Sequence, residues 1–331
     1  MAAILAEAGQ VLLSPMILCF ALGMAAALAR SGLSVPEAAA KALSLYLLFA
    51  IGFKGGASLA EHGVDGSMLA TLAAGVVLSA LLPVVAYAML SVMTRLSRTD
   101  AAAVAGHYGS ISIVTFVTAL AVLQGRGISA EGYMVAVAAA MEAPAIVVAL
   151  WLAARGGGAG ASGGGARFDP GLWREVMLNG SIVLLVGAFA IGIATGEKGL
   201  AEIESFIVSP FKGVLCLFLL DMGLVAGRGL RQARGVLGPG VVGFGLLMPL
   251  VGAALGLAAA LLVGLSPGGA ALLMTLSASA SYIAVPAAMR VALPEANPSI
   301  YLTLALGVTF PFNLVVGIAL YIDLARRLIG G

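Results

Sequence analysis

The sequence contains few charged residues. Of its 331 residues only 10% are Asp, Glu, Lys or Arg, while 61% are hydrophobic. Soluble domains carry about 25% charged and roughly 45–50% apolar residues. Such a chain cannot cover an aqueous surface, so a soluble enzyme, a nucleic-acid-binding protein and a disordered protein are excluded. The apolar runs along the whole length predict an all-α polytopic membrane protein.

Cysteine and histidine are also scarce. Cys19 and Cys216 are the only cysteines, and their large separation leaves neither a CxxC redox pair nor a cysteine metal cluster. We interpret both as small core residues. His62 and His107 are single, and the HExxH motif of helix-borne zinc sites is absent. No Lys or Arg precedes the first apolar run, which predicts a retained span and not a cleaved signal peptide.

Ten apolar segments are long enough to cross a membrane, which needs about 20 mainly apolar residues. The loops after spans 1, 3, 5, 7 and 9 carry eleven of the 17 Lys and Arg residues, against four on the opposite side and two within spans. The positive-inside rule then predicts that both termini face away from the cytoplasm. The predicted spans are Val11–Ala29, Leu43–Ala60, Met68–Met93, Ala101–Leu123, Glu131–Ala153, Asn179–Thr195, Phe206–Gly227, Pro239–Val263, Gly269–Arg290 and Ser299–Ile322.

A Gly-rich segment divides the ten spans into two sets of five. Residues 155–171 read RGGGAGASGGGARFDPG, a composition typical of a flexible cytoplasmic linker. The predicted domains are therefore a first five-helix repeat over 1–154 and a second over 172–331. Because five is odd, the second set enters the membrane inverted. Inverted repeats are the architecture of secondary transporters, which bind substrate near the midplane where the repeats meet.

Short sequence echoes in corresponding spans favour this repeat. Phe53-Lys54-Gly55 in span 2 is matched by Phe211-Lys212-Gly213 in span 7. The Ser-rich stretch 109–112 in span 4 is matched by 277–281 in span 9. Span 5 has Tyr133 with Pro144, and span 10 has Tyr301 with Pro311. The three echoes occur in the same order in both halves.

Spans 4 and 9 carry small hydroxyl residues at mid-span. Ser110 and Ser279 lie about 15 Å into their spans at ~1.5 Å per residue, near the centre of a hydrocarbon core about 30 Å thick. Gly106, Gly109 and Pro286 predict that these helices are interrupted there, and backbone N–H groups at half-helix N-termini attract anions. Close helix packing is the alternative explanation. The predicted substrate-binding residues are Gly109, Ser110, Ser112, Ser277, Ser279 and Ser281.

Four ionisable residues, Lys54, Glu142, Lys212 and Asp221, fall inside predicted spans. Each costs at least ~2.5–3.5 kcal/mol at the bilayer centre, so each should face protein, water or ions. The lysines are predicted intramembrane charge partners, with snorkelling or an Asp221–Lys54 salt bridge as alternatives. Carboxylate, amide and hydroxyl oxygens suit Na⁺. The predicted sodium-binding residues are Glu142, Asp221, Thr115, Thr309 and Asn313.

Coupling an anion to Na⁺ has an energetic reason. Moving a monovalent anion into a cell that is negative inside costs ~2.3 kcal/mol per 100 mV, and one co-transported Na⁺ cancels that cost. A site with both oxyanion donors and cation ligands is what such coupling requires. His107 could be a proton relay, but we interpret it as a hydrogen-bonded histidine at a helix entry and leave it outside the site.

Longer motifs follow one another along most of the chain. They are IGFKGG (51–56), HYGSIS with VTFVTA (107–119), EGYMVA (131–136), MEAPAI (141–146), FKGVLCLFLLDMGLVA (211–226), SASASYIAVPAAMR (277–290), LPEANPS (293–299) and GVTFPFN (307–313). At these residues the chain resembles the sodium-dependent bicarbonate transporters, the SbtA family, known from cyanobacterial carbon-concentrating mechanisms.

The resemblance implies a fold, an activity and partners. The fold would be ten inverted-repeat spans in which a mobile core domain moves against a gate domain. The activity would be inward symport of HCO₃⁻ with Na⁺, with no cofactor besides the coupling ion, by a homotrimer in the bacterial inner membrane. A PII-like regulatory protein that binds adenine nucleotides would dock on the cytoplasmic face. The Gly-rich linker is shorter than the cytoplasmic segment usual in cyanobacterial members. This departure bears on whether the regulatory protein docks on this chain.

Three alternative functions remain open. A sodium-coupled transporter of another small anion or an organic acid would share the architecture, although the candidate site offers no Arg to clamp a carboxylate. An integral-membrane enzyme is disfavoured because aspartate-rich, HExxH and nucleophile-elbow motifs are missing. A passive anion channel predicts flux without Na⁺.

Overall fold

The structure, a computed structural model, describes residues 15–62, 66–155, 180–232, 238–282, 285–286, 289 and 293–330. Within these ranges the chain is all-helical and contains no strand. Eight helical segments are long and apolar enough to cross a membrane. Two shorter apolar helices take the places of the first and ninth predicted spans. The polytopic helical architecture is thereby confirmed. The Gly-rich segment, apart from Arg155, lies outside the described residues.

The helices are numbered in chain order. Their bounds are α1 Pro15–Leu28, α2 Glu37–His62, α3 Gly66–Met93, α4 Arg98–Gly109, α5 Ile113–Gly125, α6 Met134–Ala140, α7 Glu142–Arg155, α8 Gly180–Glu202, α9 Glu204–Ile207, α10 Phe211–Gln232, α11 Pro239–Val263, α12 Pro267–Ala278 and α13 Pro298–Ile329. Helix α8 is kinked at Gly196, whose φ is 59°. Helix α13 contains two wider π-helical turns, Ala305–Thr309 and Asn313–Gly317.

Helices α1, α2, α8 and α10 form a first group, which we call the crossed group. Helix α1 packs along α10, α2 packs along α8, and α2 also contacts α10. Each of the two long pairings therefore joins one helix that precedes the Gly-rich segment to one that follows it.

Glycines allow these helix pairs to approach closely. In the α1–α10 pair, Gly23 faces the carbonyl of Leu220 and Gly223 faces the carbonyl of Phe20. In the α2–α8 pair, Gly56 and Gly192 face carbonyls of the partner helix in the same way. A Cβ added at any of the four would overlap that carbonyl and lie 2.8–3.0 Å from a backbone nitrogen of the partner. Helices in lipid have no hydrophobic driving force for association, so the close packing that small residues permit contributes to holding them together.

The remaining long helices form a second group, the central group. Helix α4 packs against α3 and α7, α12 packs against α11 and α13, and α3 contacts α11. Helices α4 and α12 lie deepest, because every residue of Ala101–Gly109 and of Gly268–Ala278 is buried. Hydroxyl-bearing residues within these two stretches are therefore shielded from both lipid and water.

The buried helices α4 and α12 begin with matching serine caps. The Oγ of Ser97 accepts a hydrogen bond from Asp100 N (3.0 Å), and the Oγ of Ser266 accepts one from Gly269 N (3.1 Å). The Glu131 carboxylate accepts hydrogen bonds from both the N–H and the hydroxyl of Ser266, at 2.8 and 3.0 Å. These caps satisfy donors at the helix starts and fix where each helix enters the bundle.

Candidate functional site

Helices α4 and α12 both end inside the bundle in extended backbone. Helix α4 stops at Gly109, Ser110 is extended (φ −85°, ψ 152°), and α5 begins at Ile113. Helix α12 stops at Ala278, and Ser279 is extended in the same way (φ −86°, ψ 161°). The predicted interruption of both helices is confirmed. Pro286 is itself helical, so the second break, at Ser279–Ser281, precedes this proline.

The two breaks contact each other. The N–H of Ser112 donates to Ser279 Oγ (2.8 Å), and the N–H of Ser281 donates to the His107 carbonyl (2.7 Å). Ser279 Oγ in turn donates to the Leu276 carbonyl (2.8 Å). Backbone groups freed at a helix break inside a membrane protein must find protein or water partners. Here part of the requirement is met by crossing one break over the other.

Some buried polar atoms at the crossing have no hydrogen-bond partner. Among the described residues these are Ser110 Oγ and the Nε2 of His107, while the hydroxyl of Tyr282 lies beside the Ser112 side chain. Ser110 and His107 have no exposed surface. An unsatisfied buried polar group costs about 1–3 kcal/mol. A cluster of them in a transmembrane bundle indicates a place for a ligand or for water.

Ser277 differs from the other serines predicted to bind substrate. Its Oγ also lacks a partner, but it lies 3.0 Å from where a Cβ on Gly256 of α11 would be. The neighbouring Gly252 faces the Ser277 carbonyl. The side chain of Ser277 thus faces a closely packed helix, which agrees with the packing alternative for this residue.

His107 is a candidate site residue that the sequence analysis left outside the site. Its Nδ1 is hydrogen-bonded to the Ala103 carbonyl (2.7 Å), and its ring stacks on Tyr301 with centroids 4.5 Å apart. Because a carbonyl can only accept, Nδ1 carries the proton, and Nε2 of the neutral ring is left as an acceptor. The signal in the sequence was its spacing, one helical turn before Ser110.

The hydroxyl of Ser112 caps the helix that follows the first break. It accepts hydrogen bonds from Thr115 N (3.2 Å) and from Thr115 Oγ1 (2.9 Å). The structure therefore brings together Ser112, Thr115, Ser279 and Ser281 at the crossing. Thr115 lies with the residues predicted to bind the substrate, although the sequence assigned it to the cation.

Glu142 lies at the start of α7 with its carboxylate buried. The residue is 7% exposed, and its Oε2 has no partner. Helix α3 passes beside it, since Ser79 Oγ donates to the carbonyl of Met141. Pro83 inside α3 has no N–H, so the Ser79 carbonyl four residues earlier lacks its helical donor. The residue that carries the freed carbonyl, Ser79, therefore contacts the residue next to Glu142 in sequence.

The corresponding proline in α11 has a different neighbour. Pro249 removes the helical donor of the Gly245 carbonyl, and Thr309 Oγ1 donates to that carbonyl (2.8 Å). The hydroxyl of Tyr108 contacts Thr309 Oγ1 at 2.6 Å. Since Thr309 uses its proton on the carbonyl, Tyr108 is the donor in this contact. Thr309 thus replaces a missing backbone hydrogen bond.

Asn313 stabilises the end of α12. Its Nδ2 donates to the carbonyl of Ala278 (2.9 Å), and its Oδ1 accepts from the hydroxyl of Tyr321 (2.8 Å). The Ala278 carbonyl is one of the acceptors left over at a helix C-terminus. Among the sodium-binding predictions, Glu142 is the one with an unpartnered buried oxygen.

Asp221 and the two lysines lie in the crossed group. Asp221 on α10 is 6% exposed, and the charge acting on it is that of Arg228. Lys54 Nζ lies 4.1 Å from the centre of the Phe211 ring, a cation–π contact. Its neighbouring charge is Lys212. Within the described part of the chain, no ion pair joins Lys54 to Asp221.

An aromatic contact connects the second break to the crossed group. The ring of Phe310 on α13 packs edge-to-face against Phe20 of α1 and against Tyr282, each with centroids 5.4 Å apart. The break in α12 therefore lies where the two helix groups meet.

Comparison with known sequences covers both breaks. No curated protein matches the chain significantly. The sequence profile of the Na⁺-dependent bicarbonate transporter superfamily matches residues 15–326. That range includes α4, α12, Glu142 and the helices α3 and α11 that contain Pro83 and Pro249. Since the match spans nearly the whole chain, the chain belongs to the Na⁺-dependent bicarbonate transporter superfamily.

Proposed function

We propose that this protein imports bicarbonate by symport with Na⁺, and that bicarbonate binds at the crossing of the two breaks. The observation that carries the proposal is the pair of unpartnered buried polar atoms at this crossing, Ser110 Oγ and His107 Nε2, with the Tyr282 hydroxyl beside Ser112. An anion with complementary donors and acceptors would satisfy them.

Bicarbonate matches this set in hydrogen-bonding character. Its two unprotonated oxygens accept hydrogen bonds, which the hydroxyls of Ser110 and Tyr282 can donate. Its single hydroxyl donates, and the Nε2 of His107 is an acceptor. A planar anion without a hydroxyl, such as nitrate, would leave that nitrogen unpaired. Because an unpaired acceptor in a buried site is unfavourable, nitrate should bind more weakly than bicarbonate.

We further propose that the two halves are inverted repeats. The correspondence that supports this pairs Gly23 with Gly192 and Gly56 with Gly223, because each member of a pair faces a partner carbonyl at an equivalent crossing. It also pairs Ser97 with Ser266 as helix caps. In this correspondence Phe53 aligns with Leu220. The Phe-Lys-Gly echo instead aligns Phe53 with Phe211, so it does not share this register.

The same correspondence suggests how Na⁺ binds. Glu142 and Thr309 each lie two residues before a proline, Pro144 and Pro311. Thr309 donates to the carbonyl freed by Pro249, so the Glu142 carboxylate would face the Ser79 carbonyl freed by Pro83. Two facing acceptors require a cation or a proton between them. Oxygen ligands of this kind suit Na⁺, and Thr115, Asp221, Thr309 and Asn313 remain candidates for further ligands.

Pro83→Ala should weaken Na⁺ binding. The new N–H would compete for the Ser79 carbonyl, so we expect the Na⁺ concentration for half-maximal uptake to rise about tenfold, equal to ~1.4 kcal/mol. Pro249→Ala is the matched control, because Thr309 already occupies the equivalent carbonyl. Equal effects of the two variants, or none of Pro83→Ala, would contradict the assignment of the Ser79 carbonyl.

Ser110→Ala should lower bicarbonate affinity without cost to folding. Its Oγ has no protein partner, so the variant breaks no hydrogen bond of the empty protein. We expect roughly tenfold weaker apparent affinity, corresponding to about 1.4 kcal/mol for one lost hydrogen bond. Ser91→Ala, at an exposed serine of α3, serves as the control. Wild-type affinity in Ser110→Ala would remove this serine from the site.

The proposed activity is tested by labelled-bicarbonate uptake into proteoliposomes with and without an inward Na⁺ gradient. Symport predicts accumulation that needs the gradient, whereas a passive channel would give flux without Na⁺. Competition by an organic acid at equal concentration would favour the alternative substrate class. Chemical turnover of the solute would indicate an enzyme.

The transport cycle and assembly are also proposals. The crossed group would be the gate and the central group the moving core, in an elevator-type exchange that carries the crossing between the two faces. The family resemblance supports a homotrimer in the bacterial inner membrane with both termini outward and a PII-like partner on the cytoplasmic face. Mass photometry of the detergent-purified protein would test the trimer.

A further inference from the structure

Cys19 and Cys216 lie in contact on α1 and α10. The two thiols lie close enough to interact electrostatically. Both are free and half-buried. The contact joins the N-terminal half of the chain to the C-terminal half, across the Gly-rich segment.

The packing of the two helices accounts for this contact. Gly223 of α10 lies against Phe20 of α1, and Gly227, one turn later, lies against Met24 and Ala27, so the two helices run parallel; Gly23 lies against Leu220. One turn is close to four residues. One turn before Gly23 is Cys19, and one turn before Leu220 is Cys216, so the register of the glycine crossing brings the two thiols side by side.

The close approach also meets the geometric requirement of a disulfide. The Cα atoms of a disulfide are about 4.4–6.8 Å apart, whereas helix axes usually lie about 8–10 Å apart. In the α1–α10 pair the glycines let each backbone reach the other, since a Cβ at Gly223 would lie 2.8 Å from Met24 N. Cysteines one turn away share this close approach of the two backbones, which is what a disulfide requires.

We propose that Cys19 and Cys216 form a disulfide bond when the protein meets a disulfide oxidant. One thiol loses its proton, attacks a sulfur of the oxidant and releases one reduced thiol as a mixed disulfide forms. The second cysteine then attacks the mixed disulfide and releases the second reduced thiol. In total the two cysteines give up two protons and two electrons, and the oxidant is reduced to two thiols.

A full-length protein with a protease recognition sequence inserted in the segment 156–166 tests the bond. The purified protein is oxidised with dithiodipyridine, cleaved with the protease and run on a denaturing gel with and without dithiothreitol. We expect the two fragments to migrate as one species without reductant and to separate with it. The linked peptides should contain Cys19 and Cys216 by mass spectrometry.

Two kinds of variant make the result decisive. Cys19→Ser and Cys216→Ser should each abolish the link. The double variant Cys216→Ser, Gly213→Cys places the thiol on the same helix at a position with open space around it, and it should not link to Cys19. Separation of the wild-type fragments without reductant, with both cysteines carrying pyridyl adducts, would overturn the proposal. A link of equal yield in the displaced variant would overturn the register on which it rests.

Discussion

Glu142→Gln is expected to abolish Na⁺-driven bicarbonate uptake or to raise its Na⁺ requirement on the order of 100-fold, about 2.7 kcal/mol at 1.36 kcal/mol per decade. The carboxylate is buried and its Oε2 is unpartnered. The amide of glutamine has nearly the same volume and can donate to the Ser79 carbonyl, so the variant should fold. It cannot supply the negative charge that a desolvated cation needs. The measurement is uptake into proteoliposomes as a function of external Na⁺.

Glu37→Gln is the control for that measurement. Glu37 lies exposed in the first turn of α2, and its replacement removes the same charge without touching the proposed site. Uptake by Glu142→Gln with the Na⁺ dependence of the wild type would show that the cation binds elsewhere. The remaining candidates would then be led by Asp221, the other buried carboxylate of the described chain.

Gly223→Ala is expected to destabilise the fold strongly. The added Cβ would overlap the Phe20 carbonyl and lie 2.8 Å from Met24 N. Neither obstacle is a flexible side chain, so α1 and α10 must separate. Overpacking costs about 1–3 kcal/mol or more, which would lower the melting temperature on the order of 10 °C. The measurement is the loss of the monodisperse size-exclusion peak after heating in detergent.

Gly213→Ala on the same helix is the matched control. No atom lies within 4 Å of a Cβ at that position, and alanine is the better helix former. It should match or exceed the stability of the wild type. Equal melting temperatures for Gly223→Ala and Gly213→Ala would mean that α1 and α10 do not pack as described.

The position of the helix breaks was partly predictable. Gly and Ser at mid-span indicated both interruptions, because small residues with weak helix propensity mark places where a helix can end. Pro286 lies after the second break, which begins at Ser279, and is itself helical. A proline is tolerated in the first turn of a helix, so it can follow a break without making it.

The roles of individual polar residues were less predictable. Thr309 and Asn313 were interpreted as cation ligands from their oxygen chemistry, yet each donates to a carbonyl left free by a proline or a helix end. His107 was left outside the site, yet its Nε2 is a buried unpaired acceptor. Whether a hydroxyl or a ring nitrogen is free for a ligand depends on which carbonyl its neighbours bring to it.

The sequence by itself determined that this is a helical membrane protein of the bicarbonate transporter superfamily with two helices interrupted at serines. Hydropathy, small-residue runs and motifs are local properties, so they can be read in order along the chain. Only the tertiary structure decided that Cys19 meets Cys216, that Ser112 is bonded to Ser279, and that Glu142 rather than Thr309 keeps an unpaired oxygen. These outcomes depend on the register between helices far apart in sequence, and that register is set by backbone approach at glycines.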